Sequence, residues 1–196
     1  MRERFGSIHL IASALASEEM PPPSQCPEVA LIGRSNVGKS SLINHLFGKR
    51  KDIARVSSTP GKTQRIHFFS VDGKWLLVDL PGYGYAKVNR SIKREWQSSL
   101  GDYLYYRPLS LVILLMDSRR ALGQEEEEIL TWAAEKRQPL LPLFTKGDKL
   151  SQGERHRLME NHHPLFPGKS PLLYSIREGR CRDQLIATIM ESHASL

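Results

Sequence analysis

Long apolar runs are missing from this 196-residue chain. No stretch approaches the roughly 18 consecutive apolar residues that a spanning helix needs, so a transmembrane helix is excluded. Cysteine is scarce. Cys26 and Cys181 are the only two, and they form neither a metal-ligand spacing nor a disulfide framework. Reduced thiols in a cytoplasmic protein are the expectation, with Cys181 packing on a helix. Acid is short relative to base: 21 Asp and Glu stand against 28 Lys and Arg, a formal net charge of +7. That balance favours contact with polyanions, RNA first, although no RNA-recognition motif is visible. A signal peptide is not supported either. Ala14-Leu15-Ala16 resembles a signal-peptidase site, but the apolar run before it is short and interrupted by His9 and Ser13. A first edge strand near Ser7–Ala12 is expected there instead. The neighbouring His162 and His163 have no further ligand close by and read as loop, not as a metal site.

What is present is an ordinary globular composition, 40% apolar and 25% charged, in a chain long enough for one domain with a full core. The organising stretch is Gly33-Arg34-Ser35-Asn36-Val37-Gly38-Lys39-Ser40, the G-x-x-x-x-G-K-[ST] pattern of a phosphate-binding P-loop. It sits between a strand-like apolar run, Glu28–Ile32, and a helix-like run, Ser41–Phe47, that places Leu42, Ile43, Leu46 and Phe47 on one side. Gly33 and Gly38 let the backbone curl so that successive N–H groups point inward, and the helix N-terminus adds partial positive charge. Lys39 is expected to reach the β- and γ-phosphates, and the Ser40 hydroxyl to ligate Mg²⁺.

The rest alternates. Residues 1–27 read as an extension, with Pro21-Pro22-Pro23 as a stiff connector, and residues 28–196 as one nucleotide-binding domain. Ser57–Gln64 reads as a loop. Arg65–Val71 and Trp75–Leu80 flank Asp72-Gly73-Lys74, a hairpin signal. Ile92, Trp96, Leu100, Tyr103 and Leu104 have helical spacing up to Pro108. Leu109–Met116 is a buried strand, and Glu125–Lys136 a helix whose glutamates suit its N-terminal end as a solvated start. Leu140–Phe144 and Pro171–Tyr174 read as strands. Glu154–Asn161 reads as a helix, as does Asp183–Ser192, which packs Leu185, Ile186, Ile189 and Met190. The fold class that follows is α/β: a three-layer P-loop NTPase with a mostly parallel central sheet, one antiparallel hairpin, and helices on both faces.

Ligands of such sheets bind at the carboxyl ends of the strands. Three motifs lie at such ends. Besides the P-loop there is Asp79-Leu80-Pro81-Gly82, where Asp79 resembles a Walker-B acid that holds Mg²⁺ through water and the Gly82 N–H can meet a γ-phosphate. The third, Thr145-Lys146-Gly147-Asp148, resembles the [NT]-K-x-D motif for guanine. One Asp148 carboxylate can accept both N1–H and N2–H of guanine, which adenine does not offer, while the Lys146 stem lies along the base. A metabolic P-loop kinase or ATPase, or a nucleotide-binding scaffold without hydrolysis, are the alternatives.

Together with Thr59-Pro60-Gly61-Lys62-Thr63-Gln64, Asp79–Ala86, and Asp117 with Arg119, these motifs resemble the EngB (YihA/YsxC-type) family of bacterial GTPases over roughly Phe5 to Met190. The resemblance implies a Ras-like G domain needed for assembly of the large ribosomal subunit, its partners the rRNA and ribosomal proteins of the precursor, with a link to cell division and septation. A cytoplasmic monomer is the family expectation. It also implies that Thr63 completes Mg²⁺ coordination alongside Ser40, that Gly61, Lys62, Thr63, Gln64 and Arg65 line the phosphates, and that Tyr174-Ser175-Ile176 forms the last base-side loop. Related GTPases with Asn at the position of Asn36 bind K⁺ beside the phosphates, so Asn36 is a candidate catalytic contributor with Lys39 and Thr63. Tyr83 stands where Ras-type enzymes carry a water-positioning Gln, and slow intrinsic hydrolysis is the expectation. Loops 57–64 and 83–90 should respond to the γ-phosphate. Lys49, Arg50, Lys51, Arg55, Lys62, Arg65 and Lys87 lie at or beside them, a basic surface suited to RNA.

Overall fold

The computed structural model describes residues 5–23, 25–48, 65–84, 100–162, 166 and 170–194. Loop 57–64, the continuation of loop 83–90 beyond Gly84, Ile92, Trp96 and His163 lie outside the described residues, as do all the basic residues just named except Arg65.

One seven-stranded sheet organises the chain. Its strands are β1 (Ile8–Ala14), β2 (Glu28–Gly33), β3 (Ile66–Val71), β4 (Trp75–Asp79), β5 (Leu109–Asp117), β6 (Leu140–Thr145) and β7 (Leu172–Leu173), in the order β1-β3-β4-β2-β5-β6-β7. The pairings β2–β4, β2–β5, β5–β6 and β6–β7 are parallel, and β3–β4 is the antiparallel hairpin. Its turn has positive φ at both Asp72 (52°) and Gly73 (64°), the conformation that makes Asp-Gly a hairpin signal. β1 adds a second antiparallel pairing, on the outer edge of β3, with Ile8 opposite Val71 and Ala14 opposite Ile66. The edge strand therefore runs two residues further than expected, and the Ala14 of the signal-peptidase look-alike is fully buried in the sheet.

Among the described residues five helices follow the expected positions: α1 (Lys39–Leu46), α2 (described over 100–106), α3 (Gln124–Glu135), α4 (Gln152–His162) and α5 (Gly179–Ala194). Strand side chains alternate between two cores. On one face Val29, Leu31, Leu77 and Ile113 meet Leu42, Ile43 and Leu46 of α1 and Leu185, Ile186 and Ile189 of α5. On the other, Ala30, Ile32, Val78 and Val112 meet Tyr103 of α2 and Ala133 of α3. Met190 does not join the packing and is exposed.

Two charges depart from the sequence reading. Glu28 opens β2 fully buried, paired with the Arg107 guanidinium. Tyr103 Oη also donates to it at 3.1 Å, and Arg107 Nη1 donates to the Pro21 carbonyl at 2.6 Å, tying the proline connector to the core. Glu126, expected among the solvated glutamates of α3, is buried instead, because it is used twice, as described below.

Candidate functional site

The parallel strands end together, and three turns leave their carboxyl ends side by side. The first runs from Gly33 through Gly38 into α1. Gly38 holds φ at 116° and Asn36 at 64°, left-handed conformations that fold the backbone around a concave nest of N–H groups. Lys39 begins the helix, buried, with Nζ 3.4 Å from the Gly33 carbonyl. Burial lowers its pKa and the nearby Asp79 opposes that shift. Asp79 ends β4, equally buried. Burial pushes its pKa up to about 6, and Lys39 pulls the other way. Asp79 Oδ1 has no hydrogen-bond partner among the described residues. A buried carboxylate oxygen left without a donor costs free energy unless a ligand completes it. The donor set fits Mg²⁺, which is commonly held by one or two protein groups and otherwise by water and phosphate. Ser40 follows Lys39 at the helix start, half-buried.

The second turn is fastened to the first. The Ser35 N–H donates to the Tyr83 carbonyl at 2.9 Å and Ser35 Oγ to the Gly82 carbonyl at 3.2 Å. The Leu80 N–H donates to the Leu31 carbonyl, and Leu80 and Pro81 are buried. A Cβ on Gly82 would lie 2.9 Å from the Ser35 backbone, so the approach requires glycine. Tyr83 turns away from the nest. Its ring is buried and its hydroxyl donates to Glu126 Oε1 at 2.8 Å, while Glu126 Oε2 accepts the Gly123 N–H and caps α3. Burial, then the Glu126 charge, push the Tyr83 phenol far above its ordinary range. It is a fixed neutral donor.

The third turn follows β6. Thr145 is buried, its Oγ1 2.7 Å from the Val37 carbonyl and 3.1 Å from that of Met116. The hydroxyl therefore braces the P-loop. Lys146 takes φ 61°, and its Nζ donates to the Asn36 carbonyl at 2.9 Å and to Asp117 Oδ2 at 2.8 Å. Asp117 also accepts a two-pronged contact from Arg119. Arg119, then Lys146, hold its carboxyl well below the usual carboxylate range, against its partial burial. The Gly147 N–H donates to the Tyr174 carbonyl, and Asp148 accepts from the buried Ser175 Oγ at 3.3 Å. Segment 174–176 thus lies against Asp148. Tyr174 itself is buried, with its hydroxyl 2.6 Å from His45 Nδ1, and Ile176 is half exposed, at 51%.

All three motifs meet. The P-loop backbone is hydrogen-bonded to the Asp79 turn through Ser35 and to the Thr145 turn through Val37 and Asn36. Arg65 lies at the surface beside β1, contacting Ser13 and Glu19, not in this group. Gly61, Lys62, Thr63 and Gln64 lie outside the described residues. Sequence reasoning missed Asp117 as the partner of Lys146 and Glu126 as the partner of Tyr83. Half of the second was signalled, since Glu126 stands three residues after Gly123, the spacing of a helix-capping carboxylate.

A profile of the family described as "50S ribosome-binding GTPase" matches residues 28–146. The chain is 43% identical over 173 residues to a probable GTP-binding protein EngB of Syntrophus aciditrophicus, covering 87% of this chain and 88% of that protein. It is 48% identical over 153 residues to a protein so described from Geobacter metallireducens, covering 78% and 74%. Among solved structures, a probable GTP-binding protein engB superimposes with a TM-score of 0.64 at 18% identity, covering 86% of this chain and 99% of that one. The Era protein of Aquifex aeolicus bound to GDP·AlF4⁻ gives 0.64 at 22%, covering 86% and 57%. These last two likenesses concern the fold.

Proposed function

This chain belongs to the EngB family of GTP-binding proteins, which carry a P-loop GTPase domain, and on that premise we propose that it is a slow Mg²⁺-dependent GTPase acting as a switch in assembly of the large ribosomal subunit. One observation carries the reading: a phosphate nest, a metal-type acid and a guanine-type acid are hydrogen-bonded into one unit.

Lys39 is the phosphate cation, already desolvated and facing the nest, and the N–H groups of residues 34–40 other than those of Ser35 and Val37, which donate to the Tyr83 and Arg34 carbonyls, supply the remaining donors. Ser40 and Thr63 would ligate Mg²⁺ directly and Asp79 through water, the ion neutralising charge on the β- and γ-phosphates when bound. Asp148 accepts the two N–H donors of guanine, with Ser175 holding the carboxylate and Lys146 held by Asp117 beneath the base. Thr145 couples that end to the P-loop. Segment 174–176 closes the base side, the contact at Ile176 coming from backbone.

Slow turnover is supported by Tyr83. Its hydroxyl is committed to buried Glu126, so no side chain directly after Gly82 orients water. A rate below about 10⁻² s⁻¹ without a partner is expected, against the 10⁻⁴–10⁻³ s⁻¹ of Ras alone. Asn36 is exposed. On this reading it holds a K⁺ ion beside the phosphates, and a rate higher in KCl than in NaCl is the expected sign.

The ribosomal role is supported by the family description and by the net charge of +7. We assign a nucleotide-gated face to loops 57–64 and 83–90 with the basic residues at or beside them, and read residues 1–27 as an extension of a single domain, 28–196. A cytoplasmic monomer with an indirect or direct role in septation completes the proposal. Among the described residues no helix is long and apolar enough to cross a membrane. Co-sedimentation with ribosomal particles tests the switch: binding should be stronger with a GTP analogue than with GDP, and binding indifferent to nucleotide contradicts it.

A further inference from the structure

The pole of the sheet opposite the nucleotide site carries its own exposed cluster. Tyr105 and Tyr106 end α2 just before β5 begins, 61% and 73% exposed. Their rings meet edge to face with centroids 5.0 Å apart. Lys136 at the end of α3 places Nζ 4.1 Å from the centre of the Tyr105 ring. Arg137 follows, also exposed. Nine-residue β5 separates this cluster from the nucleotide end by about 30 Å, at roughly 3.3 Å per residue.

Three features make this more than a polar rim. Aromatic side chains of this size normally bury most of their surface, and these two do not. The cation is already seated on one ring face, which leaves the Tyr106 ring open beside a positive charge. Third, Arg137 stands at a position that asks for glycine. The Arg137 N–H donates to Ala134 O and the Gln138 N–H to Ala133 O, a paired helix-ending motif whose left-handed residue is usually Gly. Arg137 holds φ at 51° there. The chain keeps a guanidinium where glycine would be less strained, a cost that a binding role would offset.

We propose that Tyr105, Tyr106, Lys136 and Arg137 form a constitutive contact for single-stranded RNA. Open aromatic rings stack on unpaired bases without regard to sequence, and neighbouring cations take the phosphates. The adjacent exposed cations Lys136 and Arg137 beside the two rings favour a polyanion over a protein partner at this face. The surface extends the ribosomal reading to a second face but does not depend on the nucleotide site, so the two can fail separately.

The test is fluorescence anisotropy of the full chain on a labelled single-stranded oligouridylate, with GDP and with a GTP analogue, across a salt series. The factor by which the substitutions below weaken binding should be the same in both nucleotide states, whatever the nucleotide-gated face adds. Y105S/Y106S should weaken binding about tenfold or more, the scale of one lost base–aromatic stack. R137G should keep or raise Tm, lower the affinity and reduce the salt slope by about 0.7. GTP turnover should be unchanged in every variant. Unaltered oligonucleotide affinity in Y105S/Y106S overturns the proposal. So does loss of binding to large-subunit particles with oligonucleotide binding intact, which would assign the face to a ribosomal protein.

Discussion

Two buried carboxylates lie at opposite poles of one sheet, and their surroundings differ. Glu28 begins β2 and is saturated: Arg107 pairs with it and Tyr103 donates to it, while Arg107 is further anchored to Pro21. Asp79 ends β4 with one oxygen lacking a partner among the described residues and the desolvated Lys39 near it. A satisfied buried charge belongs to the fold. An under-satisfied one marks where a ligand completes the structure. The aromatic-basic cluster sits at the satisfied pole.

Breaking Glu28 should give the largest effect on the fold. Glu28→Ala leaves the Arg107 guanidinium buried and unpaired, and should cost about 3–5 kcal/mol in denaturant unfolding. Asp79→Asn should change stability by less than about 1 kcal/mol, because relief of desolvation and loss of the Lys39 counter-charge offset each other. It should nevertheless remove the Mg²⁺ dependence of GTP binding in titration calorimetry. Comparable losses of stability in both variants would erase the contrast.

Lys39→Ala should weaken GTP binding by about 2–5 kcal/mol, the cost of removing one partner from a buried charge pair, with Tm largely kept. Tyr83→Phe should cost about 1–3 kcal/mol of stability by leaving Glu126 Oε1 without its donor while Oε2 keeps the Gly123 N–H. Turnover should not fall, which separates a bracing tyrosine from a water-positioning one.

The smallest effect concerns pH. Burial, then Arg182, hold the His45 pKa below its ordinary 6.5. His67 is lowered by burial, then Arg65, and His193 by burial. The unfolded chain therefore takes up these protons first on acidification. Their contribution is complete above pH 6.5 and declines as pH falls below it. The histidine share of stability should drop modestly between pH 7 and 5.5. Asp79 contributes in the opposite sense, because its raised pKa stabilises the fold as pH falls. The difference in Tm between the parent and His45→Gln over that range therefore reads the histidine share.

The turns were legible because backbone chemistry fixes them. Gly38 and the Asp72-Gly73 pair announce left-handed conformations, and the apolar runs announce strands that end at Asp79 and Thr145. The motifs therefore located the candidate site before any fold was in hand. The satisfied pole was not legible. Glu28 and Arg107 are 79 positions apart, and nothing local distinguishes a buried glutamate at a strand start from an exposed one. Glu126 looked like its neighbours in a row of acids, and only the packing of Tyr83 against α3 separates it from them. Met190 kept helical register with Ile186 and Ile189 yet lies at the rim of the buried stripe, where the sheet no longer covers it. Exposure of Tyr105 and Tyr106 depends in the same way on which helix face the sheet covers.

The claim on which the site rests is that one carboxylate reads the base. Competition binding of GDP, ADP and xanthosine diphosphate to the parent and to Asp148→Asn tests it directly. The parent should prefer GDP strongly over both, and the variant should shift its preference to the xanthine nucleotide, whose 2-position accepts a hydrogen bond where guanine donates one. ADP binding the parent as well as GDP, or an unchanged ranking in the variant, would contradict it.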